Sequence, residues 1–513
     1  MFMSEKKGKV YIVGAGPGDP GLLTLRAAEL LKKADVIIRD ALVNPAILRL
    51  SKQDATIIHA EKRCGEHKMP QEEINQLMLK YALEGKMVVR LKGGDPCTFG
   101  RGGEEAYFLA ENNIPFEIVP GVSSLQAVPA YAGIPLTHRS AGSVLTVVSG
   151  YESKDNPAPI DYSHLAGIPG TKVFMMATSK LRQITENLIK GGMSPQTPSA
   201  VIQWGTLGRQ RTVTGTLGEI ASLVEKSGIT PPTVVVVGDV VKFRDKLNWF
   251  ESMSLFGQRI VITRAKDQAN QLAVTLREKG ADVLEVPTIK IVPPTQTEDL
   301  MDAILGLNEY DWLVFTSPNG VTAFFEHFFK HFDDLRDIGG TRIAAIGPGT
   351  AAKLREYHLR IDLMPEESLG IKIAKAFAAY ESIENLRICI MRAEVANQEL
   401  PKALEDLGAI VDDIPCYRTV PETEDPNGDA QRLLNEGADW LLFTSGSTVE
   451  NFHLRFDLPA LLKKFGNIRI ASIGPETSKK IESFGIKPTV VAREHNIPGL
   501  VQSIEEFVLK NRS

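Results

Sequence analysis

Short apolar runs punctuated by glycine recur along the chain, and their composition favours strands over surface helices. Val234–Val237 is continuous and β-branched, as strands buried on both faces are, and Val10–Val13 and Val36–Ile38 are further short apolar strand runs. Between Leu22 and Ala34 the pattern changes: Leu23, Ala27, Leu30 and Leu31 fall at helical spacing and predict a helix. Strand, glycine turn and helix then repeat, which is the signature of an α/β fold. The run ending at Val237 closes with Gly238 and Asp239, and a charged stretch Lys242–Lys246 follows. Trp249–Met253 can then cover a surface before Gly257 precedes a fresh strand, Arg259–Thr263. We therefore expect two units, residues 8–245 and 257–513, joined by a linker at 246–256.

Composition agrees with that division, because 513 residues exceed what one core supports. No apolar run approaches the ~18 residues that span a bilayer, so no membrane contact is expected. Lys6, Lys7 and Lys9 precede Val10–Val13, but glycines end that stretch too early for a signal peptide, which leads us to expect a cytoplasmic protein. Cys64, Cys97, Cys389 and Cys416 contain no CxxC pair, which argues for reduced thiols and against zinc. His327 and His331 have HxxxH spacing without the accompanying glutamate or a third ligand, and no metal is expected. A net charge of −5 disfavours nucleic acid as a partner, while a local basic cluster could still hold a small polyanion.

Three glycine loops carry the chemistry of the first unit. Lys9–Gly21 is a strand entering glycines 14, 16 and 18, a spacing of GxGxG rather than the dinucleotide GxGxxG. Pro17 also removes an N–H where a pyrophosphate needs donors, so an adenosine ligand without phosphate fits better than NAD. Val88–Glu105 runs from a strand into Gly93-Gly94-Asp95, whose carboxylate can accept from a ribose or an amino group. Val119–Arg139 is again strand, glycine turn and small residues, and the three loops together predict one pocket.

GAGPGDPGLLTLRA, GGDPCTFGRGGEE, VPGVSS and AYAGIPLTHR resemble the uroporphyrinogen-III C-methyltransferases of the tetrapyrrole methylase family. That resemblance implies two α/β lobes holding S-adenosylmethionine, and two methyl transfers to uroporphyrinogen III that give precorrin-2. Carried over by position, it implies a donor site at Pro17, Gly93, Gly94, Asp95, Thr98, Ser123, Ser124, Met176 and Gly205. Asp40 and Lys62 become the acid and base candidates, and a homodimer through this half is kept as an expectation. The polycarboxylate substrate needs cations, for which Arg39, Lys62, Arg63, Arg90, Lys92 and Arg101 lie at or near the loops. Arg39 stands where the family commonly has an aromatic residue.

The second unit repeats itself. RIVITRA returns as RICIMRA and DWLVFTS as DWLLFTS, with an offset of 128 residues between Arg264 and Arg392 and between Trp312 and Trp440. Each copy has a TS turn and an IGP turn before a helix, where unpaired first-turn amides favour anions. Ser317, Asn319, Ser445 and Thr477 are the candidate binding groups, and each also reads as an ordinary cap. This half resembles uroporphyrinogen-III synthase, which implies two flavodoxin-like lobes, approximately 257–291 plus 418–513 and 292–417, joined by a two-stranded connection through EVPTIKIVP and DIPCYRTVP. It further implies cyclisation of hydroxymethylbilane with ring inversion, Tyr417 as candidate acid and Arg264 as a substrate contact. A nicotinamide-dependent dehydrogenase built on the first glycine loop, and a two-lobed anion-binding module in the second half, are the alternatives.

Overall fold

The computed structural model describes residues 7–52, 54–60, 69–151, 160–264, 266–366 and 370–512. Four five-stranded sheets organise them. The first contains β1 (Val10–Gly14), β2 (Val36–Arg39), β3 (Thr56–His59), β4 (Val88–Lys92) and β5 (Phe116–Val119), ordered β3-β2-β4-β1-β5. Every pairing in it is parallel. Its apolar residues divide by the period of two. Val10, Ile12, Ile38 and Val88 pack on one face, and Val13, Ile37, Val89 and Leu91 on the other, so helices cover both.

The second sheet holds β6 (Leu145–Ser149), β7 (Thr171–Met175), β8 (Pro198–Gln203), β9 (Arg211–Thr216) and β10 (Thr233–Val237), ordered β6-β7-β10-β8-β9. The valine run that ends this half in sequence lies in the middle of the sheet, antiparallel to both neighbours. Leu22–Ala34 divides into a 3-10 turn at Pro20–Leu22 and a helix at Leu25–Leu31. The division falls at Thr24, whose hydroxyl accepts from Ala27 N–H and starts the helix late.

The segment joining the halves is ordered. Phe250 and Leu255 are buried, and Tyr131, Trp249, Phe250 and Phe256 form a chain of edge-on rings. Glu251 accepts from Arg244, Thr212 and Gln210, at 2.5, 2.6 and 2.8 Å.

In the carboxyl-terminal half, β11 (Arg259–Ile262) and β12 (Asp282–Glu285) begin a third sheet, and the chain then leaves it through β13 (Ile289–Val292). The fourth sheet adds β14 (Trp312–Phe315), β15 (Arg342–Ala345), β16 (Arg387–Ala393) and β17 (Ile410–Pro421), ordered β13-β17-β16-β14-β15. After it, β18 (Trp440–Phe443), β19 (Arg469–Ser472) and β20 (Val490–Val491) return to complete the third, ordered β12-β11-β18-β19-β20. That is the flavodoxin-like order, all parallel. The two lobes are joined by β13 and the end of β17, which pair antiparallel from Ile289↔Pro421 to Val292↔Arg418. The internal repeat extends to packing. Trp312 and Trp440 each open a strand at 0% exposure, and each lies under an arginine of the next strand, Arg342 or Arg469.

Candidate functional site

Because β4, β1 and β5 are neighbours in a parallel sheet, the loops that follow them leave from the same end. Gly16 and Gly94 exchange backbone hydrogen bonds at 3.2 and 2.7 Å, tying the first loop to the second. Asp95 ties the second to itself and to the third. One carboxylate oxygen accepts from the N–H groups of Cys97 and Thr98 and from the Thr98 hydroxyl, and the other from Gly121 N–H at 3.2 Å. The aspartate read as a ligand acceptor therefore spends much of its hydrogen-bonding capacity shaping the loops. At the crossing, a Cβ on Gly121 would stand 2.4 Å from the Gly94 carbonyl oxygen and 2.7 Å from Gly14 Cα. Ser123 caps the helix Ser124–Tyr131, which carries Ser124 in its first turn.

The second lobe contributes strained backbone. Met176 after β7, and Trp204 and Thr206 after β8, have φ of 54°, 49° and 70°, in the left-handed region that non-glycine residues avoid. Gly205 between them lies against Val128 so closely that a Cβ would meet it at 2.4 Å, and Thr206 Oγ1 accepts from Asp19 N–H at 3.1 Å. These contacts bring Gly205 to the same loops as Pro17, Gly94 and Ser123. Gly93 faces Leu42, and Met176 is half-exposed.

Asp40 follows β2 and is 30% exposed in its side chain. Arg90 Nη2 stands 2.5 Å from Asp40 Oδ1, while Arg90 Nε and Lys92 Nζ both donate to Glu105 Oε1, at 3.1 and 2.9 Å. Glu105 is fully buried, and its second oxygen has no hydrogen-bond partner among the described residues. Arg39 is buried, donating to His59 Nδ1 at 3.0 Å and to the Val43 carbonyl. Arg101 pairs with Glu104. Of the six cations expected near substrate, the four that can be placed are thus committed to protein partners; Lys62 and Arg63 lie outside the described residues. Glu105 was missed by the sequence reading, although a signal existed. Arg90 and Lys92, two apart on a strand buried throughout, share a face, and two buried cations require a buried acid.

In the carboxyl-terminal half Tyr417 OH lies 2.9 Å from Ser317 Oγ, which also accepts from Gly320 N–H. Asn319 bonds the same phenol, and burial pushes the Tyr417 pKa up. A bulge places the tyrosine: Arg392 pairs with Pro415 but Ala393 with Tyr417, so the consecutive Cys416 and Tyr417 both turn to the core. The sister lobe presents Arg264 beyond β11, Ser445 in a capping box with Thr448, and buried Thr477 beyond β19. Arg392, the repeat mate of Arg264, is neutralised by Asp413. Burial pushes the Arg264 pKa down. Each lobe thus gathers its own candidates. His327 lies in the helix Pro318–Phe328 and His331 beyond it, and among the described residues no three metal-binding side chains cluster.

Comparison with known proteins places two families on the chain. Residues 9–221 match the tetrapyrrole (corrin/porphyrin) methylases and residues 270–502 the uroporphyrinogen-III synthase HemD family. A porphyrin biosynthesis protein HemD of Ruminiclostridium josui is 36% identical over 501 residues, covering 98% of both chains. A uroporphyrinogen-III C-methyltransferase of Bacillus subtilis is 42% identical over 344 residues, 67% of this chain and 70% of that one. Among solved structures, uroporphyrin-III C-methyl transferase of Thermus thermophilus complexed with S-adenyl homocysteine is 39% identical over 46% of this chain and 99% of its own, with a TM-score of 0.40.

Proposed function

Since the chain belongs to the family in which a tetrapyrrole methylase precedes a uroporphyrinogen-III synthase, and is a bifunctional enzyme of tetrapyrrole biosynthesis, we propose that it makes uroporphyrinogen III and then methylates it. The observation that carries this is the relative aligned along 98% of both chains, since the product of one half is the substrate of the other. The family also leaves the dehydrogenase and anion-binding alternatives without support.

In the methylase half the side-chain-free crossing of Gly14, Gly94 and Gly121 and the strained loop around Gly205 fit a ligand held against backbone, as S-adenosylmethionine requires. Pro17, Gly93, Gly94, Ser123, Ser124, Met176 and Gly205 would line that site, with Asp95 and Thr98 holding its loops. When bound, the donor supplies an electrophilic methyl group. The protein must align the acceptor carbon and take up the proton it loses, and Asp40 is the group we assign to that proton. Arg90, braced by Glu105, fixes the aspartate in place.

In the synthase half, folding the linear hydroxymethylbilane between the lobes places its terminal hydroxyl for departure. Tyr417 would give that hydroxyl a proton, with Ser317 and Asn319 orienting the phenol. Arg264, Ser445 and Thr477 would meet substrate carboxylates. A cytoplasmic enzyme, dimeric through the methylase half, completes the proposal. Incubating the purified chain with hydroxymethylbilane and S-adenosylmethionine tests it: the expected products are uroporphyrinogen III and its dimethylated derivative. Only the uninverted macrocycle, with no methyl incorporated, would refute it.

A further inference from the structure

A non-glycine residue keeps a left-handed φ only where its surroundings over-determine it, so the strained turn Trp204–Thr206 needs something to hold it. Two hydrogen bonds do so at Thr206. Its N–H donates to Gln210 Oε1 at 2.9 Å, and both residues are buried, at 3% and 4% exposure. Its hydroxyl accepts from Asp19 N–H, and the Asp19 carboxylate accepts in turn from Tyr131 OH at 2.7 Å. The turn is thereby tied to the first glycine loop and to the far end of the helix that starts at Ser124.

Gln210 can serve Thr206 in only one of its two orientations. A glutamine amide has an acceptor on one side and two donors on the other, and a half-turn would set its NH2 against the Thr206 N–H. Glu251 decides between them. A carboxylate accepts and cannot donate, and Glu251 Oε1 takes Gln210 Nε2 at 2.8 Å, which leaves the amide oxygen for Thr206. The carboxylate is itself fixed, with Oε1 also accepting from the Thr212 hydroxyl at 2.6 Å and Oε2 from Arg244 at 2.5 Å, and the side chain is 14% exposed. Glu251 lies between the two stretches that match known families, in the segment that joins the halves. That segment is seated on the methylase half, because Trp249 Nε1 donates to the Ala130 carbonyl and the Trp249 and Phe250 rings pack edge-on against Tyr131.

We propose that Glu251 is a positioning residue for the methyl donor, acting through Gln210 on the turn that carries Gly205. The proposal rests on the donor site assigned above and adds that the joining segment holds that site in shape. In the full-length chain, Glu251→Ala and Gln210→Ala should each weaken S-adenosylhomocysteine binding about tenfold by calorimetry and raise the KM for S-adenosylmethionine to match, as loss of one buried hydrogen bond would. The KM for supplied uroporphyrinogen III and the rate of hydroxymethylbilane cyclisation should stay within about twofold. Because one residue acts through the other, the double variant should bind within about twofold of Gln210→Ala alone. Unchanged affinity in either single variant, losses that multiply in the double variant, or an equal rise in both KM values would overturn the proposal and leave the donor site standing. A Glu251→Ala chain that neither folds nor cyclises hydroxymethylbilane would also overturn it, since the residue would then be structural alone. A wild-type chain that binds no S-adenosylhomocysteine would sink the donor-site reading and the proposal with it.

Discussion

Asp40 and Tyr417 meet different demands with different surroundings. Arg90 holds the Asp40 carboxylate at 2.5 Å while leaving the side chain 30% exposed, so it is both fixed and reachable. Asp40→Asn keeps an acceptor for Arg90 but cannot take up a proton. Methylation kcat should fall by about a hundredfold or more, with S-adenosylhomocysteine affinity by calorimetry unchanged. Tyr417→Phe removes the hydroxyl that meets Ser317, so ring closure should slow at least ~10-fold and the uninverted isomer should rise in product analysis. Asp429, at the cavity between the halves, has a pKa raised to about 6, by burial before any charge. A carboxyl whose folded pKa exceeds its unfolded one contributes stability that is full below pH ~4 and lost as pH rises through ~6. Asp429→Asn should therefore match wild type near pH 4 and be more stable by ~2 kcal/mol at pH 8, read from urea midpoints. Asp40 and Tyr417 could be named as candidates because short motifs carry them. The pairing of Asp40 with Arg90 could not be read there, because Arg90 comes from a different strand, β4.

At the scale of elements, the glycines of the first sheet differ in what they protect. Gly121→Ala would drive a Cβ into the Gly94 carbonyl at 2.4 Å and separate two loops, whereas Gly103→Ala meets none of the described residues within 4 Å. Thermal melts should place the first several degrees below wild type with donor binding lost, and the second unchanged or slightly above. Strands were the most legible elements, since β-branched runs such as Thr233–Val237 have few other fates. Their position in a sheet was not legible: nothing in that run says that it lies centrally between β7 and β8. Helix boundaries were displaced where one side-chain hydrogen bond decided them, as at Thr24. The β17 bulge was invisible too, because Pro415, Cys416 and Tyr417 read equally well as regular strand, and only the pairing partner Ala393 shows the extra residue.

At the scale of the molecule, repeat and lobe do not coincide. The third sheet takes β11 and β12 from the first copy and β18, β19 and β20 from the second, and the fourth sheet likewise mixes copies. Ile260 in β11 pairs with Trp440 in β18, across the whole of the fourth sheet. This connectivity has a consequence for the order in which a ribosome can deliver a foldable protein. The methylase half has every strand of its two sheets once Val237 has emerged, and the fourth sheet is complete at Pro421. The third sheet waits until the last part of the chain, with β11 and β12 apolar and β11 lacking its partner β18, the kind of surface that nascent chains lose to aggregation or hand to chaperones. A chain ending at Pro421 should accordingly be nicked by protease between Arg259 and Glu285, at sites the full-length protein shields, while its first two sheets resist as they do in the intact enzyme.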